Sequence, residues 1–184
     1  MLNIKNLFNE SYYLAQNSDV AKVVSSGIFQ SGLDHFQKFG QFEGRNFSAS
    51  FDSNYYLQQN PDIDAAVKSG QITAIGHFLQ YGQIEGRNPN IFFDTSYYLQ
   101  QNQDVDAAVK SGQITAFEHF LQYGQIEGRN PNIFFDTSYY LQQNQDIDAV
   151  VKSGQITAFE HFLQYGQIEG RNPNIFFDTS YYLQ

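Results

Sequence analysis

The chain has 184 residues, 41% of them hydrophobic and 17% aromatic, and every aromatic is Phe or Tyr, so it carries material for a core and is not disordered by composition. The net charge is −9 and no Lys/Arg run occurs, which excludes the clustered cations that nucleic-acid backbones or anionic membranes require. The absence of cysteine excludes disulfides, thiolate zinc sites and a cysteine nucleophile, and no apolar stretch approaches the roughly 18 residues of a membrane span.

In chain order, residues 1–7 (M-L-N-I-K-N-L) form a lead-in without the apolar segment of a signal peptide. A repeat then begins. F-N-E-S-Y-Y-L-A-Q-N starts at Phe8, and F-D-x-x-Y-Y-L-Q-Q-N starts at Phe51, Phe93 and Phe135. F-D-T-S-Y-Y-L-Q restarts at Phe177. The expected organisation is therefore repeats at 8–50, 51–92, 93–134 and 135–176, and the opening of a fifth at 177–184. The first repeat is one residue longer, through an insertion between Gly27 and His35. The repeats starting at Phe93 and Phe135 differ only in Val105/Ile147 and Ala108/Val150. A site present in one is present in the next, whereas an enzyme usually builds one asymmetric site, so the pattern argues against catalysis. A repeat array ordinarily finishes on an atypical capping repeat, so a stop inside a helix is read as a fragment of a longer protein.

Within the repeat at 93–134, Asp94 is the expected N-cap of a helix over Thr95–Gln101, with Phe93 and Tyr98 at the spacing of a hydrophobic staple. Asn102 is the next cap candidate, opening a helix over Gln103–Lys110 that Gly112 stops; in the second repeat Pro61 stands at N1. Thr115-x-x-Glu118 reads as a capping box for a third helix, whose Phe117, Phe120, Leu121 and Gly124 share a face and which Gly124 ends. No strand signal occurs. A lone 42-residue unit is too small to bury an adequate core. The expectation is all-α: tandem three-helix repeats whose neighbours share a core, stacked as an α-solenoid-like array.

Four recurring features are candidates for chemistry. One histidine per repeat (His35, His77, His119, His161) precedes Phe in the third helix; without further ligands at metal spacing it reads as a packing or hydrogen-bonding residue. Asn-x-Asp-x-Asp at Asn60, Asn102 and Asn144 has calcium-like spacing. It lacks the Gly and the twelfth-position acid of an EF-hand, so a helix cap with acids in its first turn is the better reading. Glu-Gly-Arg supplies Arg87, Arg129 and Arg171, which can pair with a carboxylate of the adjoining helix or of the next repeat, or face a ligand. In each Tyr-Tyr pair one ring should be core. The other, taken here as Tyr55, Tyr97 and Tyr139, is a candidate for an aromatic row gripping a sugar or a protein, although the absence of Trp weakens the sugar reading. No Ser/His/Asp triad, phosphate loop or zinc spacing is present, and no catalytic, cofactor-binding or metal-ligating residue is expected.

The string F-D-x-x-Y-Y-L-x-x-N-P-D-V/I, then A-A-V, then H-F-x-x-Y/F-G-x-x-E-G-R-N-P, covers essentially the whole chain and resembles a bacterial tandem repeat common in large cyanobacterial and proteobacterial proteins. The third and fourth repeats depart from it mildly, with N-Q-D for N-P-D. The resemblance implies proteins that are secreted or surface-associated. Many of them carry hemolysin-type calcium-binding nonapeptides, and others attach the repeat to enzymes acting on carbohydrates. No G-G-x-G-x-D nonapeptide occurs here, so calcium is implied only for neighbouring segments and no cofactor for this one. The expectation is a non-catalytic spacer or adhesion platform of a large extracellular or cell-surface protein. Its partners would be a protein or a cell-surface polysaccharide, without nucleic acid and without membrane insertion. The alternatives are a module binding glycan or calcium through Tyr, Arg or Asp rows, and an accessory array of a carbohydrate-active enzyme.

Overall fold

A computed structural model describes residues 2–177; the rest of the opening fifth repeat lies outside the described residues. The chain is an all-α array of tandem repeats, and its only strand-like pairing among the described residues is an isolated bridge between Ser48 and Phe51. It divides into two compact units, Met1–Ile91 and Phe92–Gln184, so that each unit holds two repeats. No helix among the described residues is long and apolar enough to cross a membrane.

The first unit contains a lead-in helix α1 (Ile4–Leu7), then α2 (Glu10–Gln16), α3 (Ser18–Ser25) and α4 (Gly32–His35), followed by α5 (Ser53–Gln59), α6 (Pro61–Lys68) and α7 (Ala74–His77). The second contains α8 (Thr95–Gln101), α9 (Gln103–Lys110) and α10 (Ala116–His119), then α11 (Thr137–Gln143), α12 (Gln145–Lys152) and α13 (Ala158–His161). The first two helices of the repeat at 93–134 therefore have the bounds expected from sequence.

Local chemistry explains these bounds. The Asp94 carboxylate accepts from the Tyr97 amide at 3.0 Å, and the Phe93 and Tyr98 rings meet with centroids 5.3 Å apart, which completes the staple. Val105 supplies the buried face of α9. Gly112 ends that helix at φ +75°, where a side chain would be strained, while the Gln113 amide reaches back to the Ala108 carbonyl. Thr115 Oγ1 accepts from the Glu118 amide, and in the next repeat Thr157 and Glu160 form the complete reciprocal box.

The third helix departs from expectation. After one α-helical turn it continues as a π-helical turn, at Phe36–Gly40, Phe78–Gly82, Phe120–Gly124 and Phe162–Gly166. Gly124 ends the helix, as expected, but as the last residue of this turn and without a positive φ, so it is not a left-handed stop. Its role is steric: a Cβ there would collide with the hydroxyl of the fully buried Tyr98, and Gly40, Gly82 and Gly166 meet Tyr13, Tyr56 and Tyr140 in the same way. The π turn thus coincides with the place where a tyrosine from the first helix lies close against its backbone.

Each repeat closes on itself through a backbone bond: the amide of Asp52, Asp94 or Asp136 donates to the carbonyl of Pro89, Pro131 or Pro173, and Asn9 to Phe47. Neighbouring repeats also share a core within each unit. In the first, Phe47 stacks between Phe8 and Phe51, at 6.1 and 5.9 Å. In the second, Phe159 packs edge-on against Phe120 of the preceding repeat at 5.3 Å, and Thr157 Oγ1 donates to Gln125 Oε1 at 2.8 Å.

Candidate functional site

Each repeat carries the same relay of rings from core to surface. In the repeat at 93–134 the Tyr98 hydroxyl lies 2.9 Å from His119 Nδ1. With the neutral imidazole carrying its proton on Nε2, the hydroxyl donates to the free lone pair. The other side of the imidazole meets Tyr123, with ring centroids 5.5 Å apart. Tyr56–His77–Tyr81 and Tyr140–His161–Tyr165 repeat the arrangement, and in the first repeat Tyr13–His35 ends on Phe39. Burial pushes Tyr13 and Tyr140 up to about 12 and raises Tyr56 and Tyr98 as well. It also lowers His77, His119 and His161 below the ordinary imidazole value, because a charged ring would lose its hydration. These histidines are structural hinges between a core tyrosine and a surface aromatic. No cluster of three metal-ligating side chains exists among the described residues.

The arginines form a second device, within the repeat rather than between repeats. Arg129 holds the Asp104 carboxylate with both terminal nitrogens, at 2.9 and 2.8 Å, and also donates to Asn102 Oδ1 at 2.8 Å and to Glu127. Arg87 grips Asn60 and Asp62, and Arg171 grips Asn144 and Asp146, in the same manner. The guanidinium thus fastens the end of the repeat to the start of its second helix. Hydrogen bonding from arginine lowers the Asp104 carboxyl to about 2 and also lowers Asp62 and Asp146. These carboxylates are well exposed, so the pairs contribute shape more than stability. Asn102 occupies the cap position of α9 but makes no capping bond; its amide donates back to the Tyr98 carbonyl at 2.7 Å while its oxygen receives the arginine. The calcium-like Asn-x-Asp spacing is therefore occupied by a cation that the chain itself supplies.

The tyrosine row expected at Tyr55, Tyr97 and Tyr139 is only half exposed, while its neighbours Tyr56, Tyr98 and Tyr140 are the core members. More exposed aromatics lie elsewhere: Phe134 (71%) and Phe176 (95%) in the link between repeats, and a set at the end of the third helix. Tyr123 is 51% and Ile126 79% exposed, and the same pair recurs as Tyr81/Ile84 and Tyr165/Ile168, with Phe39/Phe42 in the first repeat. Sequence reasoning missed this pair, although a signal existed. Tyr123 lies off the Phe117–Phe120–Leu121–Gly124 face, and Ile126 follows in a turn where nothing else buries it.

No family model matches the chain, and neither does any curated protein or solved structure.

Proposed function

We propose that the chain is a non-catalytic adhesion platform within a large secreted or surface-associated bacterial protein. One observation carries this reading: an exposed hydrophobic pair stands at the end of the third helix in all four repeats, aromatic–aliphatic at Tyr81/Ile84, Tyr123/Ile126 and Tyr165/Ile168 and doubly aromatic at Phe39/Phe42. Meanwhile the residues capable of acid–base or ion chemistry are engaged inside each repeat. The histidines hold the core tyrosines, and the arginines hold the Asn-x-Asp segments. What remains outward is a regularly repeated contact, and repetition converts weak single contacts into avidity.

A polysaccharide partner has a specific observation in its favour. Exposed tyrosines and exposed neutral amides (Gln80, Gln122, Gln164) recur together on the third helix, and a surface offering both rings and neutral hydrogen-bonding groups suits neutral sugars. The calcium alternative draws less support, because Asp62, Asp104 and Asp146 are already bridged by arginine.

A glycan array probed with the labelled chain tests the reading. Neutral polysaccharides should be retained, and retention should fall at least tenfold in the Tyr81→Ala/Tyr123→Ala/Tyr165→Ala variant. A chain that retains no glycan would remove the sugar partner. An unchanged profile in the variant would remove the exposed pair as the contact.

A further inference from the structure

The two repeat seams are built from different residues at equivalent places. In the second unit the third helix of the later repeat brings Phe159 to the seam, where its ring lies against Phe120, while the adjacent Glu160 caps its own helix at Thr157. In the first unit the equivalent positions are Ile75 and Gly76, facing Phe36, which corresponds to Phe120. Replacing Phe by Ile removes a ring, and replacing Glu by Gly removes a whole side chain. At the first seam Ile75 and Gly76 line a cleft of about 320 Å³.

Its walls are Phe36, Ile75, Leu79 and, from the lead-in helix α1, Ile4. Gln37 and Gln41 stand at its rim. Gln41 is held in place: its amide donates to the Gln37 carbonyl at 2.6 Å, and its Oε1 receives the Thr73 hydroxyl at 3.3 Å. That Oε1 retains a second lone pair for an incoming donor. Among the described residues, no charged side chain lines the cleft.

We propose that this cleft is a binding site for a small uncharged molecule with an apolar ring and one amide or hydroxyl group. The volume is at the lower end of the range that ligand sites occupy, about 300 Å³ upward. The apolar walls take the ring, and the fixed glutamine at the rim takes the polar end. An ion would leave its hydration shell for walls that offer no counter-charge, so the site selects neutral ligands. Because it is lined by Ile75 and Gly76 and by a lead-in helix outside the repeats, the site occurs once in the first unit. It is separate from the exposed pair assigned to adhesion.

The test uses the whole chain and N-benzylacetamide as probe, followed by methyl NMR. Saturable shifts should appear at Ile4, Ile75 and Leu79, with a Kd on the order of millimolar, as the size of the probe dictates. Benzoate, of similar size but charged, should bind at least tenfold more weakly. The Ile75→Phe variant carries the residue that position 159 already holds and leaves Gly76, whose Cβ would meet Thr73 Oγ1 at 2.8 Å, unchanged; it should lose the shifts at Ile4 and Leu79 while its circular dichroism spectrum is unaltered. Absent shifts in the unaltered chain, equal shifts in the variant, or benzoate binding as well as the amide would each overturn the proposal. None of these outcomes bears on glycan retention by Tyr81, Tyr123 and Tyr165.

Discussion

The seam between the first two repeats and the seam between the last two have nearly the same sequence but different packing. Around Phe120, Phe159 supplies an edge-on ring, and Thr157 makes a 2.8 Å bond to Gln125. Around Phe36, Ile75 leaves a cleft, and the matching Thr73–Gln41 bond is longer, at 3.3 Å. The interior of each repeat barely changes between the units: the Tyr–His bond, the glycine under the tyrosine and the arginine clamp, which in the first repeat joins Arg45 to Asp19, recur in all four. The repeat core is thus the fixed part of this fold, and the seam is where sequence variation can act.

The strongest way to break this comparison is at the fixed part. Gly124→Ala places a methyl against the Tyr98 hydroxyl, and Gly82→Ala does the same to Tyr56. Each should cost about 3 kcal/mol, an overpacking penalty at the upper end of the usual range. By calorimetry either unit should lose more than about 10 °C of melting temperature. Adding Tyr98→Phe to Gly124→Ala should recover part of the loss; if the double variant melts no higher, the collision is not the cause.

Phe159→Ile should make the second seam resemble the first. Losing the ring contacts with Phe120 and Phe135 should cost about 2 kcal/mol. Trimming the already open seam by one methylene, Ile75→Val, should cost about 1 kcal/mol or less. Equal losses in a urea titration would mean that the two seams are energetically alike.

Tyr98→Phe alone tests the ring relay. Removing the hydroxyl from His119 should cost about 1 kcal/mol in urea unfolding. The histidines also set a pH dependence. Their folded pKa values lie below the unfolded value, so the unfolded chain takes up protons first as the pH drops. Stability is therefore fully present above pH 6.5 and declines below it, toward the folded pKa. At the alkaline end the buried tyrosines act oppositely: stability falls as the pH rises above 10, because the unfolded phenols ionise first. A midpoint unchanged between pH 7.5 and 5.5 would contradict the burial of the imidazoles.

The smallest effect is expected at the clamp. Arg129→Gln should lower the melting temperature by only a few degrees, and 1 M salt should shrink the difference, because the partner carboxylates face water.

Much of this architecture was legible in the sequence. Asp94, Phe93, Tyr98 and Gly112 define the first two helices through capping, stapling and a left-handed stop, all of which are local signals. Two things were not legible. The π turn at Phe120–Gly124 coincides with the close approach of a tyrosine 22 to 26 residues upstream, and helical periodicity carries no record of such a contact. The partner of Arg129 lies 25 residues back in its own repeat, whereas spacing alone allowed a neighbour. The displaced tyrosine row has a similar origin. Tyr97 is adjacent in sequence to a core ring and is half-covered, while Tyr123 projects beyond the histidine that supports it.

The most direct test of the central claim is adhesion of the chain, coupled to beads, on an immobilised neutral bacterial polysaccharide, with and without Tyr81→Ala/Tyr123→Ala/Tyr165→Ala, alongside thermal melting of both. The account predicts that detachment force collapses in the variant while the midpoint changes by no more than a few degrees, since these rings lie outside the repeat core. Undiminished adhesion at an unchanged midpoint would contradict it, and would assign the contact to another surface of the repeat.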